Sequence, residues 1–152
     1  TDHCSFDFHG DKQNGKDDFT KCPNGAPGVE TRMPIVFSEG VSKGRLSLNE
    51  FAAVTSTNPA KIFGMYPKKG VLAPGSDADI VLMNPDMEVT ITKNILHENV
   101  DYTPYEGIQV KGWPVMTMVR GQAVVENERL QVPLGFGRYI NRKPVKYTEL
   151  LK

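Results

Sequence analysis

The chain has 152 residues, 39% of them hydrophobic and 24% charged, the composition of an ordinary soluble globular protein rather than of a disordered one. Eighteen Lys and Arg balance eighteen Asp and Glu, so there is no basic field to hold nucleic acid or an anionic membrane surface. No apolar run approaches the roughly 20 residues that span a bilayer, and the first residues have neither the charged nor the apolar region of a secretory signal, so a cytoplasmic location is expected.

The chain opens TDHCSF, an acid beside a histidine and a cysteine. Read alone, Asp2 is one exposed carboxylate at a frayed end, because termini are mostly disordered. The two cysteines, Cys4 and Cys22, lack the CxxC spacing of a metal knuckle or redox motif, and unpaired thiols in a reducing compartment are expected. His3 and His9 likewise lack the spacing of a structural zinc site and read as surface or hydrogen-bonded histidines.

Residues 7–30 are rich in Gly, Asp and Asn with almost no apolar period, which makes them a long irregular loop of the kind that is usually functional or disordered. Within it, CPNGAP reads as a turn, with Gly25 taking a backbone conformation that other residues resist. Residues 33–64 change to helical spacing: MPIVFSEGVSKG predicts one helix, and Leu48, Phe51, Ala52 and Val54 predict a second. Ser47 and Glu50 form a capping box at the start of that second helix. Asn58-Pro59 marks a break, with Pro59 in the first turn of a third short helix.

From about residue 68 the period becomes that of strands. Pro74-Gly75 is a turn, Ile80 to Met83 a strand, Asn84-Pro85 another break, and Val89 and Ile91 a further alternation. Residues 115–119 and 123–126 predict two strands joined through a tight turn at Gly121. Trp113, Met116 and Met118 read as packing on a strand face. Asp77 and Asp79 beside the Gly turn read as local stabilisers of that turn rather than a cation site. The final stretch, with Pro, Gly, aromatic and basic residues and no period, predicts a tail laid over another surface.

The segments TDHCSF, KCPNGAPGVETRMPIVFSEGV, STNPAKIFGMYPKKGVLAPGSDADIVL and VDYTPYEG, in order through nearly all of residues 1–140, resemble the C-terminal portion of the dihydropyrimidinase and D-hydantoinase family of cyclic amidohydrolases. The resemblance implies an α/β protein: a metal-dependent TIM barrel of about 250 residues plus a β-sandwich built from both ends of the chain. This chain is too short for such a barrel. Residues 1–64 would then be the end of the last barrel strand and its closing helices, 65–130 a portion of the sandwich, and 131–152 a C-terminal tail in contact with another subunit.

The resemblance also assigns chemistry. Asp2 would stand at the C-terminal end of a barrel strand, where catalytic groups of such barrels converge. There it would bind one of two zinc ions and carry a proton from the attacking nucleophile to the departing amide nitrogen. Asn24 would offer main-chain contacts to the cyclic amide substrate. The remaining metal ligands, histidines and a carboxylated lysine, have no match here and are expected upstream, so the chain by itself is expected to be inactive.

The implied activity is opening of dihydropyrimidine or hydantoin rings to N-carbamoyl amino acids, in a homotetramer. The alternative is a noncatalytic dihydropyrimidinase-like scaffold that keeps the fold and loses the metal ligands. A carboxylate at position 2 favours the enzyme, since a scaffold has no use for a charge at the bottom of a barrel mouth.

Overall fold

Alternating apolar segments bring the second half of the chain into one antiparallel sheet. The computed structural model describes residues 2–145. In it β1 (Ile80–Thr90), β2 (Gln109–Val119), β3 (Gln122–Glu126) and β4 (Arg129–Leu130) lie side by side in chain order. Arg120 and Gly121 both take positive φ, 52° and 77°, and so do Asn127 and Glu128, at 49° and 63°. Left-handed pairs of this kind twist a two-residue hairpin in the same sense as its strands. The tight turn expected at Gly121 is therefore present, and β3 begins one residue earlier than its apolar pattern indicates.

Asn84-Pro85 does not break the strand. β1 runs through it for 11 residues, with the irregularity absorbed as a bulge. Asn84 faces Trp113 and Glu88 faces Lys111, so residues 85–87 stand against Gly112 alone. Proline can donate nothing to a ladder, and a bulge on an edge strand is where that loss is tolerated. The Pro74-Gly75 turn forms as expected, with Gly75 at φ 91° and the Ser76 N–H donating to the Ala73 carbonyl at 3.0 Å.

The helical region packs on this sheet. α1 (Arg32–Val36) continues into a π-helical turn, Phe37–Ser42. α2 (Leu48–Ala52) begins at the expected capping box, in which the Ser47 hydroxyl accepts from the Glu50 N–H at 3.2 Å and the Glu50 carboxylate accepts from the Ser47 N–H at 2.8 Å. The break expected at Asn58-Pro59 is absent: α2 runs through a π-helical segment, Ala53–Thr57, into α3 (Asn58–Ile62). Pro59 does occupy the first turn of α3. The wider π turn just before it gives the pyrrolidine ring room where an unbroken α-helix would clash.

Helices and sheet meet at a glycine. Gly112 has φ +102°, and a Cβ placed there would overlap the ring of Phe37. Phe37 is buried and stacks edge-on against Phe51, with ring centroids 5.3 Å apart, linking the α1 and α2 helical runs. Polar ties flank this contact: the Lys111 N–H donates to Ser38 Oγ at 3.0 Å, and Ser42 Oγ donates to the Lys111 carbonyl at 3.0 Å. Next to it Ile91, Leu96, Val110 and Trp113 form the buried cluster, with Ile35, Val89, Ile95 and Tyr105 packed around it. Met116 and Met118 are half-buried on β2.

The long loop is irregular apart from two 3-10 turns, Asp11–Gly15 and Phe19–Lys21. Asp101 clamps it: its carboxylate accepts from the Phe8 N–H at 2.6 Å and the His9 N–H at 2.9 Å. Those bonds to the anionic form hold the Asp101 carboxyl below its ordinary range, the His9 bond foremost. Asp77 and Asp79 do more than close their turn. Lys68 and Lys69 both pair with Asp77 at 2.9 Å, Lys69 also pairs with Asp79, and Asp79 accepts from the Arg120 N–H at 2.9 Å.

Residues 131–145 contain no helix or strand; Lys143 N–H donates to the Gly64 carbonyl at 2.9 Å and Arg120 donates to the Phe136 carbonyl at 2.8 Å. The rest of the expected tail, 146–152, lies outside the described residues. Among the described residues no helix is long and apolar enough to cross a membrane.

The Phe37–Gly112 contact makes a testable distinction. Gly112→Ala is expected to cost about 2–3 kcal/mol in urea unfolding, from overpacking added to backbone strain. Gly44→Ala is the control: its φ is +68° but nothing lies within 4 Å of the added methyl, so it should cost less.

Candidate active-site cleft

The first residues and the long loop come together although about twenty residues separate them. His3 and Ala26 form a parallel bridge, and the Cys4 N–H donates to the Ala26 carbonyl at 3.3 Å. The His3 imidazole reinforces the bridge. Its Nδ1 accepts from the Gly28 N–H at 3.1 Å and the Val29 N–H at 3.3 Å. An Nδ1 that accepts leaves the ring proton on Nε2, so His3 is neutral in this arrangement. The 3.8 Å approach of Glu98 Oε1 to the same nitrogen is then a meeting of two acceptors rather than an ion pair.

Asp2, one residue before this clamp, has φ +49°. The left-handed region is uncommon for residues other than glycine, and Asp is among those that tolerate it. Its side chain lines an open cleft of about 550 Å³ together with Gly25, Pro27, Arg32, Ile35 and Tyr105. Asn24 is exposed at the edge of the same loop and is not among the cleft-lining residues. Asp2 and residues 25–27 of the CPNGAP turn thus line one cleft, with Asn24 next to them in sequence but outside the lining.

Gly25 is at φ +105°, and a Cβ there would run into Cys4. The Pro-Asn-Gly turn thus has its glycine for a close approach as well as for its backbone angle. Cys4 and Cys22 are both free thiols. His9 contributes its main chain to the Asp101 clamp.

Behind the cleft runs a chain of polar contacts. The Glu30 N–H donates to Glu98 Oε1 at 3.2 Å, and the Glu30 carboxylate in turn takes the His97 N–H and the His97 ring, both at 2.7 Å. The other ring nitrogen of His97 lies 3.2 Å from the Glu128 carbonyl in the β3–β4 turn. Glu98 Oε2 is buried without a partner among the described residues. Arg32, Tyr105 and this Glu30–His97–Glu98 group have no periodicity or motif of their own. Only their presence in the quoted ETRMPIV and VDYTPYEG segments, or next to them, could have drawn attention to them.

The family model that matches residues 2–124 is that of the amidohydrolase family. The chain belongs to the amidohydrolase family. It is 48% identical over 151 residues to the D-hydantoinase of Geobacillus stearothermophilus, covering 99% of this chain and 32% of that protein. The crystal structure of dihydropyrimidinase from Brevibacillus agri NCHU1002 superposes with TM-score 0.93 at 51% identity, over 96% of this chain and 32% of that one. The L-hydantoinase (dihydropyrimidinase) of Arthrobacter aurescens superposes with TM-score 0.78 at 43% identity, over 87% of this chain and 29% of that one. The chain thus spans about a third of the length of the curated relative it matches.

The His97 contact carries a pH signature. Its hydrogen bond and charge attraction to Glu30 raise the imidazole pKa above the ordinary 6.5. A raised folded-state value stabilises the fold fully below the unfolded value and loses that contribution as pH climbs through the folded one. The Tm gap between the parent and His97→Gln should therefore be widest just below pH 6.5 and close in alkaline buffer. The gap should be small, since the His97 side chain is 64% exposed.

Proposed function

We propose that this chain is the C-terminal third of a cyclic amide hydrolase that opens dihydropyrimidine or hydantoin rings to N-carbamoyl amino acids. The observation that carries the proposal is Asp2, a carboxylate in left-handed backbone at an open cleft, immediately before the His3–Ala26 bridge. Backbone strain of this kind clusters at functional sites. The names of the similar proteins, D-hydantoinase and dihydropyrimidinase, support the activity proposed.

In this reading residues 1–64 complete a (β/α)8 barrel, 65–130 belong to a β-sandwich, and 131–152 reach a neighbouring subunit of a homotetramer. The family is metal-dependent, and we assign zinc, two ions per site. Among the described residues no group of three or more His, Cys, Asp and Glu is placed to hold a metal. The donor we assign from this chain is the Asp2 carboxylate, a hard oxygen ligand of the type zinc accepts. The other ligands belong to residues beyond these 152. When bound, the ions would supply water activation and polarisation of the ring carbonyl.

The work of this chain is proton transfer and positioning. An Asp2 carboxylate oxygen takes the proton of the water whose oxygen adds to the ring carbonyl carbon. As the ring C–N bond breaks, the same oxygen returns that proton to the departing nitrogen. One water is consumed and the carboxylate is regenerated. The Asn24 main chain offers fixed polar groups to the cyclic amide at low entropic cost. His3 holds the segment that presents Asp2 by accepting the Gly28 and Val29 N–H groups.

The test is Asp2→Asn in the longer protein that carries the barrel, assayed for zinc content and for ring opening of dihydrouracil and hydantoin. Loss of the general base should lower kcat by about 1,000-fold. A variant that hydrolyses as fast as its parent would overturn the role given to Asp2. A parent that opens neither ring would overturn the activity.

A further inference from the structure

The loop beside Asp2 is held from two sides. On the first side stand the Cys4 backbone and the His3 ring. On the other stands Lys12, from the first 3-10 turn. Its Nζ donates to the Pro23 carbonyl and to the Gly25 carbonyl, each at 2.6 Å. These are the carbonyls on either side of Asn24.

The arrangement is unusual for a lysine. Among the described residues Lys12 pairs with no carboxylate; two of its three ammonium donors go to main-chain oxygens, and the ring of Phe6 lies 5.7 Å from Nζ. Charge-assisted bonds to carbonyls are short and about twice as strong as neutral ones. Holding a long flexible side chain in one geometry costs rotamer entropy, which these two bonds offset.

Among the described residues no hydrogen bond engages the Asn24 N–H or C=O. Lys12 thus ties the Pro23–Asn24 peptide through the Pro23 carbonyl and the Gly25–Ala26 peptide through the Gly25 carbonyl, which leaves the Asn24 N–H and C=O free for a ligand. Gly25 cannot relax the loop toward Cys4, where even a methyl group would overlap.

We infer that Lys12 is a positioning residue for the substrate: its ammonium fixes the Pro23 and Gly25 carbonyls so that the Asn24 main chain meets the cyclic amide in one orientation. This rests on the hydrolase reading above and goes beyond it, since that reading gives Lys12 no part. A fixed pair of peptide groups binds a ring amide without an ordering cost at the moment of binding, so loss of the ammonium should weaken substrate binding rather than the chemical step.

The experiment uses the longer enzyme with Lys12→Met and Lys12→Arg, hydantoin and dihydrouracil as probes, and amide hydrogen exchange of the peptide covering residues 22–28. Lys12→Met should raise KM by about tenfold or more, the scale of losing charged hydrogen bonds. kcat should stay within about twofold and metal content should not change. Exchange of the Gly28 amide, which is bonded to His3, should quicken in the same variant as the loop loosens. Lys12→Arg, which keeps charge and donors, should recover most of the KM.

If Lys12→Met proves insoluble, Lys12→Gln, with an uncharged donor, takes its place with the same expectations. An active parent whose Lys12 variants keep its KM overturns the inference and leaves the hydrolase reading standing. Faster exchange with unchanged KM does the same and makes Lys12 a structural tie only. A parent inactive on both rings overturns the hydrolase reading, and the substrate role of Lys12 falls with it.

Discussion

The parallel bridge between His3 and Ala26 is the contact on which the cleft depends. It joins two stretches separated by a long polar loop that has no apolar pattern to fold it. Closing such a loop costs entropy that grows only slowly with its length, so a few well-placed bonds suffice to hold it. Those bonds come from every direction: the His3 ring to the Gly28 and Val29 amides, Lys12 to the Pro23 and Gly25 carbonyls, and the Asp101 carboxylate to the Phe8 and His9 amides. Asp101 lies more than 90 residues away in sequence, so the loop is anchored to the sheet half of the chain as well as to itself.

The seating of helices on the sheet decides where that anchored loop leads. The loop passes through Thr31, fully buried, into α1, and the α1 helical run settles onto β2 where Gly112 leaves room for the Phe37 ring. The bulge opposite Gly112 in β1 belongs to the same accommodation, because the strand that carries Pro85 swells where β2 has its only side-chain-free position. Ser38 and Ser42 then tie the π-helical turn to both backbone groups of Lys111. With α1 fixed, Arg32 and Ile35 face the cleft that Asp2 lines.

Charge is used locally although the chain is neutral overall. Lys68 and Lys69 against Asp77 and Asp79 staple the approach to β1, and the same Asp79 reaches the β2–β3 turn through the Arg120 amide. Lys69 keeps a raised pKa although its burial works against the charge, because the two carboxylates outweigh that penalty. Glu30 and His97 likewise join the start of the helical region to the β3–β4 turn. These are short-range devices that fasten loops, in keeping with a chain whose loops carry the site.

The amino-acid sequence alone determined the local features, because their causes are local. The Ser47–Glu50 box, the Pro74-Gly75 turn and the hairpin at Gly121 each follow from what a few adjacent residues do to the backbone. Asp2 was singled out by resemblance, since nothing in its neighbours distinguishes it from a frayed acid. Two proline signals misled for a shared reason. Asn58-Pro59 and Asn84-Pro85 read as breaks, and the structure carries both through, one with a π turn and the other with a bulge. A proline removes one hydrogen bond and crowds the turn before it, and whether the element survives depends on whether the packing on either side makes room. The tertiary structure alone decided which distant groups meet: Lys12 with the carbonyls flanking Asn24, Asp101 with the loop, Phe37 with Gly112. Such meetings depend on the path of the whole chain, and no period or motif in the residues themselves encodes them.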